Sequence, residues 1–252
     1  MNRLRALVLL PALFGPACAH TPSEREQTNA RIHYDLALER QRAGDATEAY
    51  REIEKALALD PTFAPAHNAK GLMLHLSFDR GEEALKSYKR ALELDPRYSE
   101  VHTNLGNVHL SAGRYDEAIK HYELALSDML YVTPWFAQGN LGWAHYKAGR
   151  TEEGIKAIRR AIDLNAGFCQ GHRNLGIIFE EQGDPVQAQS SYEAYVEACP
   201  DIPEAHLRLG KILAAQGDAD EARNAFALCE AKSTDRNEKD ACRRLSERLE
   251  SP

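Results

Sequence analysis

The run Asn104-Leu105-Gly106-Asn107-Val108-His109-Leu110-Ser111-Ala112-Gly113, followed by Tyr115-Asp116-Glu117-Ala118-Ile119, decides how the rest of the chain is read. Its wording returns about thirty-five residues later as Asn140-Leu141-Gly142 with Ala148-Gly149-Arg150. It returns again as Asn174-Leu175-Gly176 with Gln182-Gly183-Asp184, and as Arg208-Leu209-Gly210 with Gln216-Gly217-Asp218. A period of that size marks a solenoid, in which each unit buries its apolar face against its neighbours. In such a chain function is sought on a scaffold surface, not in a catalytic pocket.

Aligned on the Leu-Gly pair and the later Ala, the chain divides into six helix-turn-helix units, 30–63, 64–98, 99–134, 135–168, 169–202 and 203–236. Each first helix ends in a Gly or charged turn, as at Ala43-Gly44-Asp45 and Ala112-Gly113-Arg114. Second helices end at Asp60-Pro61, Asp95-Pro96 and Cys199-Pro200, where proline cannot continue a helix and pushes its predecessor out of the α region. These residues resemble the tetratricopeptide repeat, a pattern of about 34 residues. The resemblance implies an all-α fold: a right-handed superhelical solenoid of six repeats plus a C-terminal capping helix. Gly71, Gly106, Gly142, Gly176 and Gly210 then take the small position of the first helix. Ala49, Ala84, Ala118, Gly154, Ala188 and Ala222 take that of the second, so that the two backbones approach closely. Ala37 replaces the glycine in the first repeat, which makes it an atypical capping unit. Residues 237–252, with Ala241, Leu245 and Leu249 among alternating charges, read as a polar-faced end helix and tail.

Two intervals are long. One lengthening falls in the turn at Phe78-Asp79-Arg80. The other falls at Ser127-Asp128-Met129-Leu130-Tyr131-Val132-Thr133-Pro134, where the expected Asp-Pro has become Met-Leu. Leu130, Tyr131, Pro134 and Trp135 mark this irregular joint between the third and fourth units.

The first seventeen residues stand apart from the repeats. Arg3 and Arg5 precede the short apolar run Ala6-Leu7-Val8-Leu9-Leu10-Pro11-Ala12-Leu13-Phe14, the pattern of a secretory signal and too short for a membrane span. Gly15-Pro16-Ala17-Cys18 resembles a bacterial lipobox, which implies cleavage before Cys18 and lipidation of its thiol; an ordinary signal cut after Ala17 or Ala19 is the other reading. Ala19 stands where an Asp can mark inner-membrane retention, so the expected address is the outer membrane, lipid-anchored and facing the periplasm. Residues 18–29 then read as the lipidated cysteine and a short polar tether.

The formal charge of -7 gives no electrostatic reason to expect nucleic acid. Five of the ten histidines, His33, His67, His102, His172 and His206, fall at the fourth position of a repeat. Spacing of one per repeat puts them about 10 Å apart, whereas zinc needs ligands at about 2.0–2.1 Å; a structural stripe between paired helices is the expectation, with no metal and no cofactor. No Gly-x-Ser-x-Gly, phosphate loop or His-Glu-x-x-His occurs, so an enzyme is not expected. Besides Cys18, the cysteines Cys169, Cys199, Cys229 and Cys242 allow three connectivities in an oxidising compartment. Antiparallel helix pairing favours 169–199 and 229–242, with free buried thiols as the alternative.

The inner-face positions of the repeat bring forward Tyr34, Leu38, Leu72, Leu110, Phe136, Trp143, Tyr146 and Ile177 as a partner-binding groove, with Asn68, Asn107 and Arg173 as polar members. Aromatic anchors on an apolar strip suit capture of a peptide or helix. Filling of the irregular joint is the competing role for Trp143 and Tyr146. Tyr34 and Leu38 lack the Lys and Asn of the co-chaperone carboxylate clamp, which disfavours that partner class.

The lipobox, the six repeats and the wording from Tyr131-Val132-Thr133-Pro134 through Trp143-Ala144-His145-Tyr146-Lys147-Ala148-Gly149-Arg150 together resemble the type IV pilus pilotins of the PilF/PilW group, above all its myxobacterial branch. The resemblance implies an outer-membrane lipoprotein that promotes insertion and multimer assembly of the secretin PilQ, and so pilus extension and twitching motility. A general outer-membrane assembly or envelope-biogenesis scaffold is the alternative that the repeats and lipobox also allow.

Overall fold

The computed structural model describes residues 21–249, which form thirteen α-helices and no strand among the described residues. The expected signal segment 1–17 and the lipidation at Cys18 lie outside the described residues. The chain divides into two compact units, one ending at Phe63 and the other beginning at Ala64.

The first unit is one helical hairpin, α1 (Glu24–Arg42) and α2 (Ala46–Leu59). The polar tether expected to reach residue 29 is instead helical from Glu24. Ser23 and Glu26 form a capping box: Glu26 N–H donates to Ser23 Oγ at 3.4 Å, and Ser23 N–H donates to the Glu26 carboxylate at 2.8 Å. This reciprocal pair satisfies two N-terminal donors, and the Ser-x-x-Glu spacing was the signal that polar composition masked. Between the helices Glu52 is buried and accepts from Lys55 Nζ at 2.6 Å, with His33 Nδ1 also at 2.6 Å. Those two partners hold its carboxyl below the ordinary carboxylate range.

The second unit stacks five hairpins and an end helix. The hairpins are α3 (Ala64–Leu76) with α4 (Gly81–Leu94), α5 (Ser99–Ser111) with α6 (Tyr115–Leu126), and α7 (Pro134–Lys147) with α8 (Thr151–Leu164). They continue with α9 (Cys169–Glu181) and α10 (Pro185–Ala198), then α11 (Pro203–Gln216) and α12 (Ala219–Lys232), and α13 (Arg236–Arg248) closes the series. Turns within the hairpins share one device. Gly113, Gly149, Gly183 and Gly217 have φ between 72° and 93°, a left-handed conformation open to glycine without steric cost. The lengthened turn between α3 and α4 uses Asp79 at φ 53° instead, a residue whose short polar side chain tolerates that region.

Turns between hairpins share a second device. Asp95, Asp128 and Asn165 each accept, through the side-chain oxygen, the N–H two residues on, at 3.1, 2.9 and 3.0 Å. The joint therefore keeps its aspartate as Asp128; only the proline is replaced, by Met129. The extra chain comes after this turn, and α7 starts six residues beyond Asp128, whereas α5 starts four beyond Asp95.

Packing inside each hairpin differs from the simple meeting of two small residues. A Cβ placed on Gly71, Gly106, Gly176 or Gly210 would lie 2.2–2.6 Å from a ring carbon of Tyr88, Tyr122, Tyr192 or Phe226. These glycines make room for a fully buried aromatic ring from the second helix. Of these helical glycines, Gly142 and Gly154 of α7 and α8 are the pair at which backbone meets backbone. There a Cβ on Gly142 would lie 2.7 Å from the Gly154 carbonyl oxygen, and one on Gly154 would lie 2.8 Å from the Gly142 carbonyl oxygen. At the C-terminal end Leu245 and Leu249 pack on Leu213 and Phe226, and Cys242 is fully buried.

Two disulfides lie in this last part. Cys169 joins Cys199 across the hairpin of α9 and α10, and Cys229 joins Cys242 between α12 and α13, each with Cα atoms 6.0 Å apart.

Candidate partner-binding groove

Across α3, α5 and α7 runs an open groove of about 660 Å³. Its apolar members are Leu72 and Leu76 from α3, Leu110 from α5 and Phe136 from α7, with Tyr131 at its edge. Its floor is polar: Asn104 Nδ2 donates to Asn68 Oδ1 at 2.9 Å, and Asn140 Nδ2 donates to Asn107 Oδ1 at 2.8 Å. Tyr122 Oη also donates to Asn107 Oδ1, at 2.8 Å, which ties this row to the aromatic ring packed under Gly106. Burial of that hydroxyl raises its pKa far above the usual phenol range. At α9 the row changes character, because Arg173 takes the next asparagine, Asn174, at 3.3 Å and reaches Glu204 at 2.9 Å.

The structure brings together Leu72, Leu110 and Phe136 of the predicted groove, and leaves others elsewhere. Tyr34 and Leu38 belong to the first unit, where the Tyr34 ring meets Phe63 edge-on at 5.2 Å. Ile177 is half-buried on α9 and does not line this groove. Trp143 and Tyr146 are a correction. They pack on the core of the next repeat, which contains Leu175, Ile178 and Phe179, with their ring centroids 5.2 Å apart. Tyr146 donates its hydroxyl to Glu181, and burial together with that carboxylate pushes its pKa up to about 12. Their packing is against that core, and they line neither this groove nor the cluster around Tyr131 at the joint.

The irregular joint splits by residue. Tyr131 is buried, and its hydroxyl stands 3.0 Å from Thr103 Oγ1. Ser99 Oγ donates to Asp128 at 2.7 Å, and this bond with the Leu130 N–H holds the Asp128 carboxyl below its ordinary range. Met129, Leu130 and Val132 in contrast are 96%, 86% and 77% exposed, so the loop is pinned by its polar and aromatic members and presents its aliphatic ones. Pro134 occupies the first turn of α7, and the Trp135 and Phe136 rings are 5.8 Å apart.

The fourth-position histidines bond inside the scaffold. His172 and His206 stand 2.9 and 2.8 Å from the carbonyl oxygens of Ala166 and Pro200 in the preceding turns. His102 Nδ1 lies 3.2 Å from His121 Nδ1, and the His109 ring stacks on His121 at 5.4 Å. Burial, with His102 and His109 beside it, pushes His121 down to about 4. Among the described residues no group of three or more His, Cys, Asp or Glu side chains is arranged to hold a metal ion. No described helix is long and apolar enough to cross a membrane.

Comparison with known proteins agrees with this architecture. Models of the tetratricopeptide repeat match residues 80–113, 99–128, 137–168 and 173–235. The chain carries tetratricopeptide repeats. Its fold is similar to that of PilW, described as a widely conserved type IV pilus biogenesis factor, with a TM-score of 0.74 and 24% identity over 84% of this chain and 97% of that one. PilF of Pseudomonas aeruginosa is similar with a TM-score of 0.71 and 19% identity, over 88% of this chain and 99% of PilF. At these identities the likeness is one of fold. An uncharacterized protein of Haemophilus influenzae is 28% identical over 134 residues, 52% of this chain and 73% of that protein.

Proposed function

We propose that this chain is a pilotin: an outer-membrane lipoprotein, anchored through Cys18 and facing the periplasm, that binds secretin subunits and promotes their insertion and multimer assembly. The observation that carries the reading is the near-complete mutual coverage with PilW, a type IV pilus biogenesis factor whose solved chain is matched over 97% of its length. The lipobox-like Gly15-Pro16-Ala17-Cys18 and the pinned joint at 127–134 support it further. Mechanistically the chain acts as a scaffold without catalysis. Holding several secretin subunits near one membrane patch raises their effective concentration and favours the multimer.

Deletion of the gene tests this. Loss of heat-stable secretin multimers with monomer retained is the expected outcome. General loss of outer-membrane β-barrels would replace the pilotin with a broader assembly scaffold, and unchanged multimers would end the proposal. Cys18→Ser separates the anchor from the array: labelled fatty acid should no longer be incorporated, and the protein should leave the outer-membrane fraction.

A further inference from the structure

We propose that the pocket between the α4–α5 turn and the α6–α7 loop engages an anionic phospholipid of a bilayer, with the lipid phosphate at Arg97 and its hydrocarbon against Leu124, Met129 and Leu130. The inference rests on the membrane address in the functional reading above and not on the secretin, because it concerns how the array meets a lipid surface.

The pocket encloses about 500 Å³, the size of a small-ligand site. Its two sides differ in chemistry. Leu124, Met129 and Leu130 form the apolar side, all three are exposed, and Val132 is exposed just beyond them. The loop backbone keeps them from folding back onto the core. Leu130 N–H is held by Asp128, and the next residue, Tyr131, is buried with its hydroxyl 3.0 Å from Thr103 Oγ1. With Tyr131 turned inward and fixed, its aliphatic neighbours remain in water, where apolar surface is unfavourable.

The other side carries a free cation. Arg97 uses its main-chain N–H toward Asp95, and its guanidinium has no ion-pair partner among the described residues. Asp128 is the one carboxylate lining the pocket, and both of its oxygens are taken, Oδ2 by the Ser99 hydroxyl and Oδ1 by the Leu130 N–H. Burial lowers the pKa of His102, which leaves Arg97 as the lining cation. A guanidinium presents its donors in a planar fork that matches phosphate. A fork of this kind beside an aliphatic wall calls for a ligand that is anionic at one end and hydrocarbon at the other.

Shape favours a bilayer over a protein segment. Met129 and Leu130 stand out from a tight turn, and a fluid acyl phase receives projecting side chains without matched relief. A protein partner would need a packed pocket around each of them. Aliphatic side chains with a basic residue beside them act together at an anionic lipid surface, through buried apolar area and through charge.

The test is flotation of the mature chain, residues 18–252 with Cys18→Ser, exported behind a cleavable non-lipidating signal so that no anchor contributes. Phosphatidylcholine vesicles with and without phosphatidylglycerol are the probes. The expected result is binding to both, tighter where phosphatidylglycerol is present. Arg97→Gln should weaken binding to the anionic vesicles about fivefold, the worth of one basic side chain there, and remove the preference for them. Met129→Asn with Leu130→Asn should weaken binding to either vesicle at least tenfold, since two exposed aliphatic side chains lose their burial. Thermal melts must show that these variants stay folded. Absence of flotation, flotation indifferent to the loop substitutions, or displacement by glycerol 3-phosphate alone, which marks a site for a small anion, would overturn the proposal. The secretin multimers of a deletion strain report on the pilotin reading separately, so either idea can fail while the other stands.

Discussion

Gly106 and Tyr122 show at a single position how this array is built. The glycine leaves a slot that the tyrosine ring fills, and the ring's hydroxyl then orients Asn107 in the groove. Gly106→Ala should cost about 1–3 kcal/mol by overpacking, despite the higher helix propensity of alanine, and urea titration would measure it. Adding Tyr122→Leu should make the pair less than additive, because the smaller side chain vacates the slot. Gly142→Ala should find no such rescue by trimming a side chain, because backbone atoms of Gly154 and Ile158 stand in its way. Single residues also set the acid response. His121 in the folded chain has a pKa of about 4, below the usual value near 6.5, so the unfolded state binds its proton first as pH falls. Its contribution is complete above about pH 6.5 and lost progressively down to about pH 4. The midpoint of thermal unfolding should decline through that window, and His121→Gln should flatten the decline.

At the level of elements, the loop between α6 and α7 combines a fixed backbone with exposed side chains. Leu130→Asn should leave the melting temperature within a degree or so, since an exposed side chain away from other features contributes little. Tyr131→Phe should cost about 1 kcal/mol through loss of the bond to Thr103, read from the same melts. Much of the repeat architecture was legible in the sequence, because glycine and proline punctuation recurs at a fixed period and the packing obeys it. The aromatic partners of the glycines were equally periodic but were overlooked, since Ala49, Ala84 and their equivalents offered a simpler account of close approach. The groove was legible in part. Leu72, Leu110 and Phe136 follow from helical phase alone, whereas Trp143 and Tyr146 satisfy the same phase yet are claimed by the next repeat's core. Asn104 and Asn140 stand in the repeated Asn-Leu-Gly wording, and only the contact between neighbouring helices shows that they bond to Asn68 and Asn107.

Over the whole molecule, stability in a repeat array is close to a sum of unit and nearest-neighbour contributions. Within residues 64–249 those contributions are uneven. Both disulfides fall after residue 168, and each closes a short segment, with sequence separations of 30 and 13. Replacing both members of the 169–199 pair by serine should cost about 2–4 kcal/mol, seen as an earlier calorimetric transition. The end helix adds to the imbalance, because α13 covers the apolar surface of the last hairpin with Leu245 and Leu249 and is itself tied to α12. A linear array without covalent ties frays from both ends. Here the C-terminal end is closed, so amide hydrogen exchange within residues 64–249 should be slowest from α9 onward. A partner engaging α3, α5 and α7 would then meet the part of the second unit that lies outside these covalent ties, and its binding would be felt as protection spreading toward the locked end.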